Sequence, residues 1–268
     1  MNAGTEAKET AGGNCAPAVS ADRFDAGVFD LDGVVTRTAR LHAAAWKQLF
    51  DDFLRRRAAR TGEPFQPFSD DDYRRHVDGK PRLQGIRGFL EARGISLPDG
   101  ADDNPDSIFG LARRKNALFQ ERLTRDGVEV YESTVDFIRR LRKAGLKTAL
   151  VSSSKNAAVV LAAARLADLF DVTVDGVEAA RLHLRGKPDP DIFLHALKAL
   201  SVAAKRAFAV EDALSGVAAA RAAGYGLVIG LDRGSSREEL HRCGADIVVD
   251  DLSELAWGSQ TPAAGGRS

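Results

Sequence analysis

Phe29-Asp30-Leu31-Asp32-Gly33-Val34-Val35 is an apolar strand that ends in two carboxylates two residues apart, followed at once by glycine. Alternation along an extended chain places residues i and i+2 on the same side, so Asp30 and Asp32 can face one ligand. Gly33 lets the backbone turn tightly beneath them. One acid can attack while the other handles a proton, which is the outline of a phosphoryl-transfer site. Taken alone, the same residues also read as a strand followed by an ordinary Asp-Gly turn, and the rest of the chain decides between the two.

Outward from this stretch, the chain divides into a helical insert and a strand-helix alternation. Ala39 to Arg60 carries Leu41, Ala45, Leu49 and Phe53 at four-residue steps beside Trp46, Phe50 and Leu54, one broad helical face that ends near Gly62 and Pro64. Further helices are expected over 70–76, 82–93 and 108–124, separated by loops such as 98–105. Beyond them, 146–151, 172–174, 207–210, 225–231 and 246–249 are short apolar runs of strand length. Helical patterns at 133–144, 155–169, 190–200, 215–223 and 236–242 lie between most of them. Such alternation predicts an α/β fold: a Rossmann-like parallel sheet covered by helices through right-handed crossovers, with an inserted α-helical cap. There is no internal repeat.

Ligands on open parallel sheets bind beyond the carboxyl ends of the strands, and the polar clusters fall there. Asp30 and Asp32 follow the first strand, Ser152-Ser153-Ser154-Lys155-Asn156 follows 146–151, and Glu211-Asp212 follows 207–210. Gly186-Lys187-Pro188-Asp189-Pro190 precedes a helix and can reach the same rim. The serine run opens a helix, where hydroxyls and unpaired amides can bind anionic oxygens. Lys187 adds a full positive charge. Asp30, Glu211 and Asp212, with a backbone carbonyl, offer the hard oxygen ligands that Mg²⁺ prefers. Each cluster also has a plain reading as a cap, a solvated lysine or a turn, but their convergence at one rim favours the chemical one.

Composition narrows the classes. The 268 residues are 44% hydrophobic and 28% charged, enough for one sizeable core plus a smaller unit. Lys+Arg and Asp+Glu stand at 38 each, so no global field favours nucleic acid or an anionic membrane. Cys15 and Cys243 are too few for a disulfide framework and show no zinc-ligand spacing, which fits a reducing, cytoplasmic setting. No segment has the roughly 18 consecutive apolar residues of a membrane span. Residues 1–21 and 258–268 read as disordered tails.

With DxD, Ser, Lys and acidic-pair motifs in this order, the chain resembles the haloacid dehalogenase superfamily over about Gly27 to Leu255. Within it, Asp30-Leu31-Asp32-Gly33-Val34, Thr38, His42, Trp46, Ser154-Lys155-Asn156, Lys187-Pro188 and Glu211-Asp212 resemble the β-phosphoglucomutase-like subgroup. The resemblance implies a core of residues 22–37 and 120–257 around a mobile cap of residues 38–119. It implies Asp30 as a nucleophile forming an aspartyl-phosphate, and Asp32 as general acid/base with its carbonyl on Mg²⁺. Ser152, Ser153 and Lys187 would hold the transferring phosphoryl, and Glu211 and Asp212 the metal with Asp30. Asp32 is expected to be protonated when the first step begins, since it must protonate the departing oxygen.

Thr38 and His42, four apart at the start of the cap helix, share a face and could link the cap to Asp32. His76, His183, His195 and His241 read as ordinary surface or core residues. In the cap, Asp78-Gly79-Lys80-Pro81-Arg82 resembles the subgroup's specificity loop and Lys115-Asn116 its sugar-contacting pair, with Arg82 suited to a second phosphate. Pro81 departs from that pattern, Arg37 takes a place usually acidic, and the stretch 55–69 is extended. The activity the resemblance implies is Mg²⁺-dependent interconversion of β-glucose 1-phosphate and glucose 6-phosphate, through a bisphosphate intermediate, by a monomeric enzyme, with a sugar-phosphate phosphatase as the alternative. Both are enzymes, and the retained aspartate pair speaks against a non-catalytic phosphosugar-binding protein.

Overall fold

The computed structural model describes residues 18–100, 104–234 and 237–258. A short strand β1 (Ala18–Val19) leads to β2 (Ala26–Asp30), and the chain then enters a helical region. That region holds α1 (Ala39–Thr61), a single turn α2 (Asp70–Asp72) continuing into a π-helical turn (Tyr73–Val77), α3 (Arg82–Ala92) and α4 (Ile108–Asp126). The return is α5 (Glu132–Lys143), β3 (Lys147–Val151), α6 (Ala157–Ala164), β4 (Val172–Val174), α7 (Gly176–Arg181) and α8 (Asp191–Leu200). It closes with β5 (Ala207–Glu211), α9 (Leu214–Ala222), β6 (Leu227–Leu231), α10 (Arg237–Cys243), β7 (Ile247–Val249) and β8 (Ala256–Trp257). The six-stranded sheet has the order β4-β3-β2-β5-β6-β7 and every pair in it is parallel.

The strands form because each is a short, nearly continuous apolar run with helices on both faces. Alternation then sorts the side chains. Phe29, Phe208 and Val210 join the core on one face, where Phe137 from α5 meets the Phe29 and Phe208 rings at about a right angle. Val28, Ala207 and Ala209 join Phe193 and Tyr225 on the other. The first of these cores runs without a break through Val34 and Val35 into the cap, where Trp46 stacks on Phe50 and the Phe68 and Phe89 rings pack against Phe50 at a tilt.

The order also places the site. From β2 the chain moves outward to β3 and β4, then returns to β5 on the other side of β2, so strand order reverses at β2. Asp30 is in register with Val151, and Phe29 with Val210, which sets Ser152 and Glu211 beside Asp30 at one rim.

Several boundaries differ from the sequence reading. Residues 18–21 are not a loose tail: β1 pairs in parallel with β8, and the Gly258 amide donates to the Val19 carbonyl. Residues 1–17 and 259–268 lie outside the described residues. The chain leaves the cap only after α4, whose unbroken course to Asp126 carries the expected boundary at 119/120 inside a helix. The helix expected over 155–169 stops at Ala164, because Arg165 takes a left-handed conformation, and resumes as a 3₁₀ turn at Ala167–Leu169. No helix among the described residues is long and apolar enough to cross a membrane.

Candidate active site

Asp30 ends β2 and Asp32 lies just beyond it. Between the rim loops, Gly33 has φ +102° and a Cβ there would lie 1.8 Å from Asp212 Oδ2, so only glycine allows this approach. Lys187, wholly buried, donates to both Asp30 Oδ1 and Glu211 Oε1. Burial alone would lower the ammonium's pKa, but the two carboxylates overturn this and raise it, so Lys187 stays charged. Asp30, Glu211 and Asp212 each bring one oxygen within 4.8 Å of the others. Burial, reinforced by the neighbouring acids, raises the pKa of Asp30 and of Asp212 well above the usual carboxylate range. Three crowded, buried carboxyls with hard oxygens are a fitting donor set for a divalent cation, which would relieve that repulsion.

Asp32 sits in a different environment. Thr38 donates to its Oδ1, His42 Nε2 lies 3.4 Å from the same oxygen, and Thr38 is itself 2.6 Å from Thr36 Oγ1. Burial pushes the Asp32 pKa up, yet His42, Thr38 and Lys115 together bring it below the ordinary value. The donors that the cap places around Asp32 thus favour its carboxylate form; the protonation expected from sequence belongs to the start of the first step, with substrate bound. His42 stacks on Phe119 at 4.0 Å and meets Lys115 Nζ through Nδ1 at 2.5 Å. Lys115 also lies over the Trp46 and Phe119 rings. Burial, with Arg82 nearby, lowers Lys115 to about 7.

The pocket over these groups has a volume near 590 Å³. Asp30, Asp32, His42, Trp46, Gly79, Arg82, Lys115, Asn116, Ser152, Ser153, Ser154 and Lys155 all line it, whereas Thr38, Asn156, Lys187 and Glu211 act from behind the wall. Arg82 Nη2 and Asn156 Nδ2 both donate to Asn116 Oδ1, at 2.7 and 3.0 Å, tying cap loop, cap helix and core loop together.

Within the serine run the hydroxyls have separate duties. Ser152 Oγ accepts from the Ser154 amide, and Ser154 Oγ from the Asn156 amide. The Ser153 hydroxyl donates to the Gly79 carbonyl of the cap at 2.7 Å, because the cap loop descends onto it. Ser215 Oγ likewise donates to the Asp78 carbonyl. Pro81, a departure by sequence, packs where a Cβ on Gly186 would lie, 2.0 Å from its Cγ.

Two residues of this wall were missed by sequence reasoning. Asp78, raised to about 6 by burial, and the Tyr73 phenol that hydrogen-bonds it both face the acidic cluster. In the sequence, Asp78 stands only as the start of the Gly79 loop, without a role, and Tyr73 gives no signal.

Comparison with known proteins agrees with this geometry. A family model described as haloacid dehalogenase-like hydrolase matches residues 24–224. Proteins named beta-phosphoglucomutase from Mycobacterium bovis and Mycobacterium tuberculosis are 45% identical over 241 residues, covering 87% of this chain and 92% of theirs. A phosphorylated carbohydrates phosphatase from Thermotoga maritima is 30% identical over 219 residues, covering 80% and 89%. Among solved structures, beta-phosphoglucomutase from Clostridium difficile superposes with a TM-score of 0.68 at 26% identity, covering 87% and 93%.

Proposed function

The chain belongs to the haloacid dehalogenase-like hydrolase family, and from that membership we propose that it is a β-phosphoglucomutase, converting β-glucose 1-phosphate to glucose 6-phosphate through Asp30. One observation carries the reading: the two carboxylates of the motif are held by different parts of the molecule. Asp30 is gripped by Lys187 within the core, beside Glu211 and Asp212, whereas Asp32 meets Thr38 and His42 at the start of the cap. A carboxylate fixed beside a cation-binding cluster suits attack on phosphorus, and one reached by the cap suits proton transfer.

In the forward direction, phosphorylated Asp30 gives its phosphoryl group to the sugar's 6-hydroxyl, and Asp32 takes the hydroxyl proton. The bisphosphate then turns over in the pocket. Asp30 attacks the 1-phosphate, Asp32 returns its proton to the anomeric oxygen, and glucose 6-phosphate leaves with the enzyme again phosphorylated. Lys187 and Ser152 would hold the transferring group, and Arg82, with Lys115 and Asn116, the rest of the ligand. Mg²⁺, which Asp30, Glu211, Asp212 and the Asp32 carbonyl would hold, supplies the positive charge that lets an anionic nucleophile meet a phosphate. Contact of cap residues with Asp32 means that proton transfer depends on cap position.

A phosphatase reading has one specific support, the similarity to the Thermotoga maritima phosphatase. In that case water, not a hydroxyl, would attack the aspartyl-phosphate. The deciding assay follows β-glucose 1-phosphate to glucose 6-phosphate and to free phosphate in parallel, with and without a glucose bisphosphate primer. Primer-dependent glucose 6-phosphate in excess of free phosphate supports the mutase. Free phosphate alone, indifferent to primer, would replace it with the phosphatase.

A further inference from the structure

A second cavity, near 740 Å³, lies between the cap and the core on the hinge side. Ala39, Tyr73, Asp78 and Asp212 line both it and the catalytic pocket, and so lie between the two. Six cationic side chains face it: Arg37 and Arg233 from the core, and Arg40, Lys47, Arg74 and Arg122 from the cap. Three of these have acidic partners, since Arg40 pairs with Glu129, Lys47 with Asp51 and Arg74 with Asp71. The other three have no carboxylate within 4 Å among the described residues. Arg122 bonds only to Gln48 and the Leu118 carbonyl. The Arg37 and Arg233 guanidiniums lie 4.3 and 3.9 Å from the Tyr131 ring centroid, a stack that fixes their planes. Arg233 also donates to the Gly33 and Asp250 carbonyls, while its Nη2 is buried with no hydrogen-bond partner. A buried guanidinium nitrogen without an acceptor is costly unless something supplies one.

We propose that this hinge pocket binds a phosphate-bearing small molecule, separately from the catalytic pocket, and that its occupancy ties the cap to the core. Planar guanidiniums match phosphate oxygens two at a time, and three cations without a carboxylate partner around one cavity favour a multiply charged anion over a monoanion. The acids Asp70, Asp78 and Asp212 also line the cavity, but Asp78 and Asp212 do so on the wall shared with the catalytic pocket. Because cations come from both cap and core, an anion bound between them favours the arrangement in which those side chains are close. A site of this kind couples ligand level to cap opening without touching the reacting atoms.

The test uses inorganic sulfate as probe, titrated calorimetrically into the full chain with Mg²⁺ present, with sodium chloride as the ionic-strength control. Two binding events are expected. The double variant Arg37→Gln, Arg233→Gln should weaken one event at least tenfold and leave hydrolysis of acetyl phosphate, measured without sulfate, within twofold of the parent. Ser152→Ala should weaken only the other event. At one sulfate concentration, with inhibition through the catalytic pocket accounted for by comparing the parent with the Ser152→Ala variant, sulfate should slow turnover of the parent more than that of the double variant. Parent-like binding by the double variant, or a single event removed by Ser152→Ala, would overturn the proposal; equal inhibition of parent and double variant would overturn the coupling. If the double variant does not fold, Arg122→Gln, on the cap side, is expected to weaken the same event at least threefold, and unchanged binding there would count against the site. Binding is read without turnover, so a failed mutase assay alongside two intact events would sink the catalytic reading alone.

Discussion

Lys115 is a buried ammonium whose neighbours are two aromatic rings, a histidine and Arg82, with no carboxylate in direct contact. Its pKa falls from about 10.4 in the unfolded chain to about 7 in the folded one. Between those values the unfolded chain keeps a proton that the folded chain gives up, so stability rises with pH across that window, and the cost is fully present below it. Lys115→Met should therefore raise stability at pH 7, by on the order of 1–3 kcal/mol, while sharply reducing turnover of β-glucose 1-phosphate. Thermal midpoints at pH 7 and pH 9 check this, because the gap between variant and parent must narrow at the higher pH. Arg82 provides a second check on the cap. Held by Asn116 and the Ala112 carbonyl, it should matter only to a ligand with a distal phosphate. Arg82→Ala is expected to lower kcat/KM for β-glucose 1-phosphate about tenfold or more and leave acetyl phosphate nearly unchanged, a loss of roughly 1.5–3 kcal/mol of charge-assisted hydrogen bonding. Equal losses on both substrates would make Arg82 a support of the fold instead.

Between elements, the contact of the loop 78–82 with the core rests on small residues. Gly186→Ala would drive a methyl group into Pro81, lifting the loop that carries Gly79 and Arg82. KM for β-glucose 1-phosphate should rise several-fold with acetyl phosphate hydrolysis little changed, and Pro81→Gly in the same chain should restore it. A defect on both substrates that Pro81→Gly does not relieve would place the fault at Lys187. This contact was invisible in sequence, since Pro81 and Gly186 are remote along the chain, and so was the bond from the Ser153 hydroxyl to the Gly79 carbonyl, 74 residues away. The central strands were legible because burial on both faces demands uninterrupted apolar runs, and the rim clusters because parallel topology collects strand ends. The six residues of α7 offered too little periodicity to read, although Asp175 caps that helix through Oδ1. The π-helical turn, closed by the Asp78 amide on the Tyr73 carbonyl, has no sequence pattern of its own.

For the molecule as a whole, a donor set of crowded acids implies that metal and stability are linked. Mg²⁺ should raise the thermal midpoint, by about 2.7 kcal/mol of stability at a hundredfold excess over its Kd. EDTA should reverse the rise and abolish turnover. Asp212→Asn, which removes one of three crowded, buried acids, should be at least as stable as the metal-free parent yet gain little from Mg²⁺. A midpoint indifferent to Mg²⁺ in the parent would mean that the acids serve another purpose. The strap joining the two regions has a separate consequence. The Arg37 amide donates to the Glu129 carbonyl at 2.8 Å, the Tyr131 amide to the Val35 carbonyl at 3.0 Å, and Thr36 bridges antiparallel to Val130. Entry to the cap and exit from it are thus side by side, so the whole insert is a cassette hung from one clip. Transplanting another cap between Arg37 and Glu129 would change which molecules reach Asp30 while leaving the sheet that positions it uncut, and the chemistry and the choice of substrate could then diversify independently.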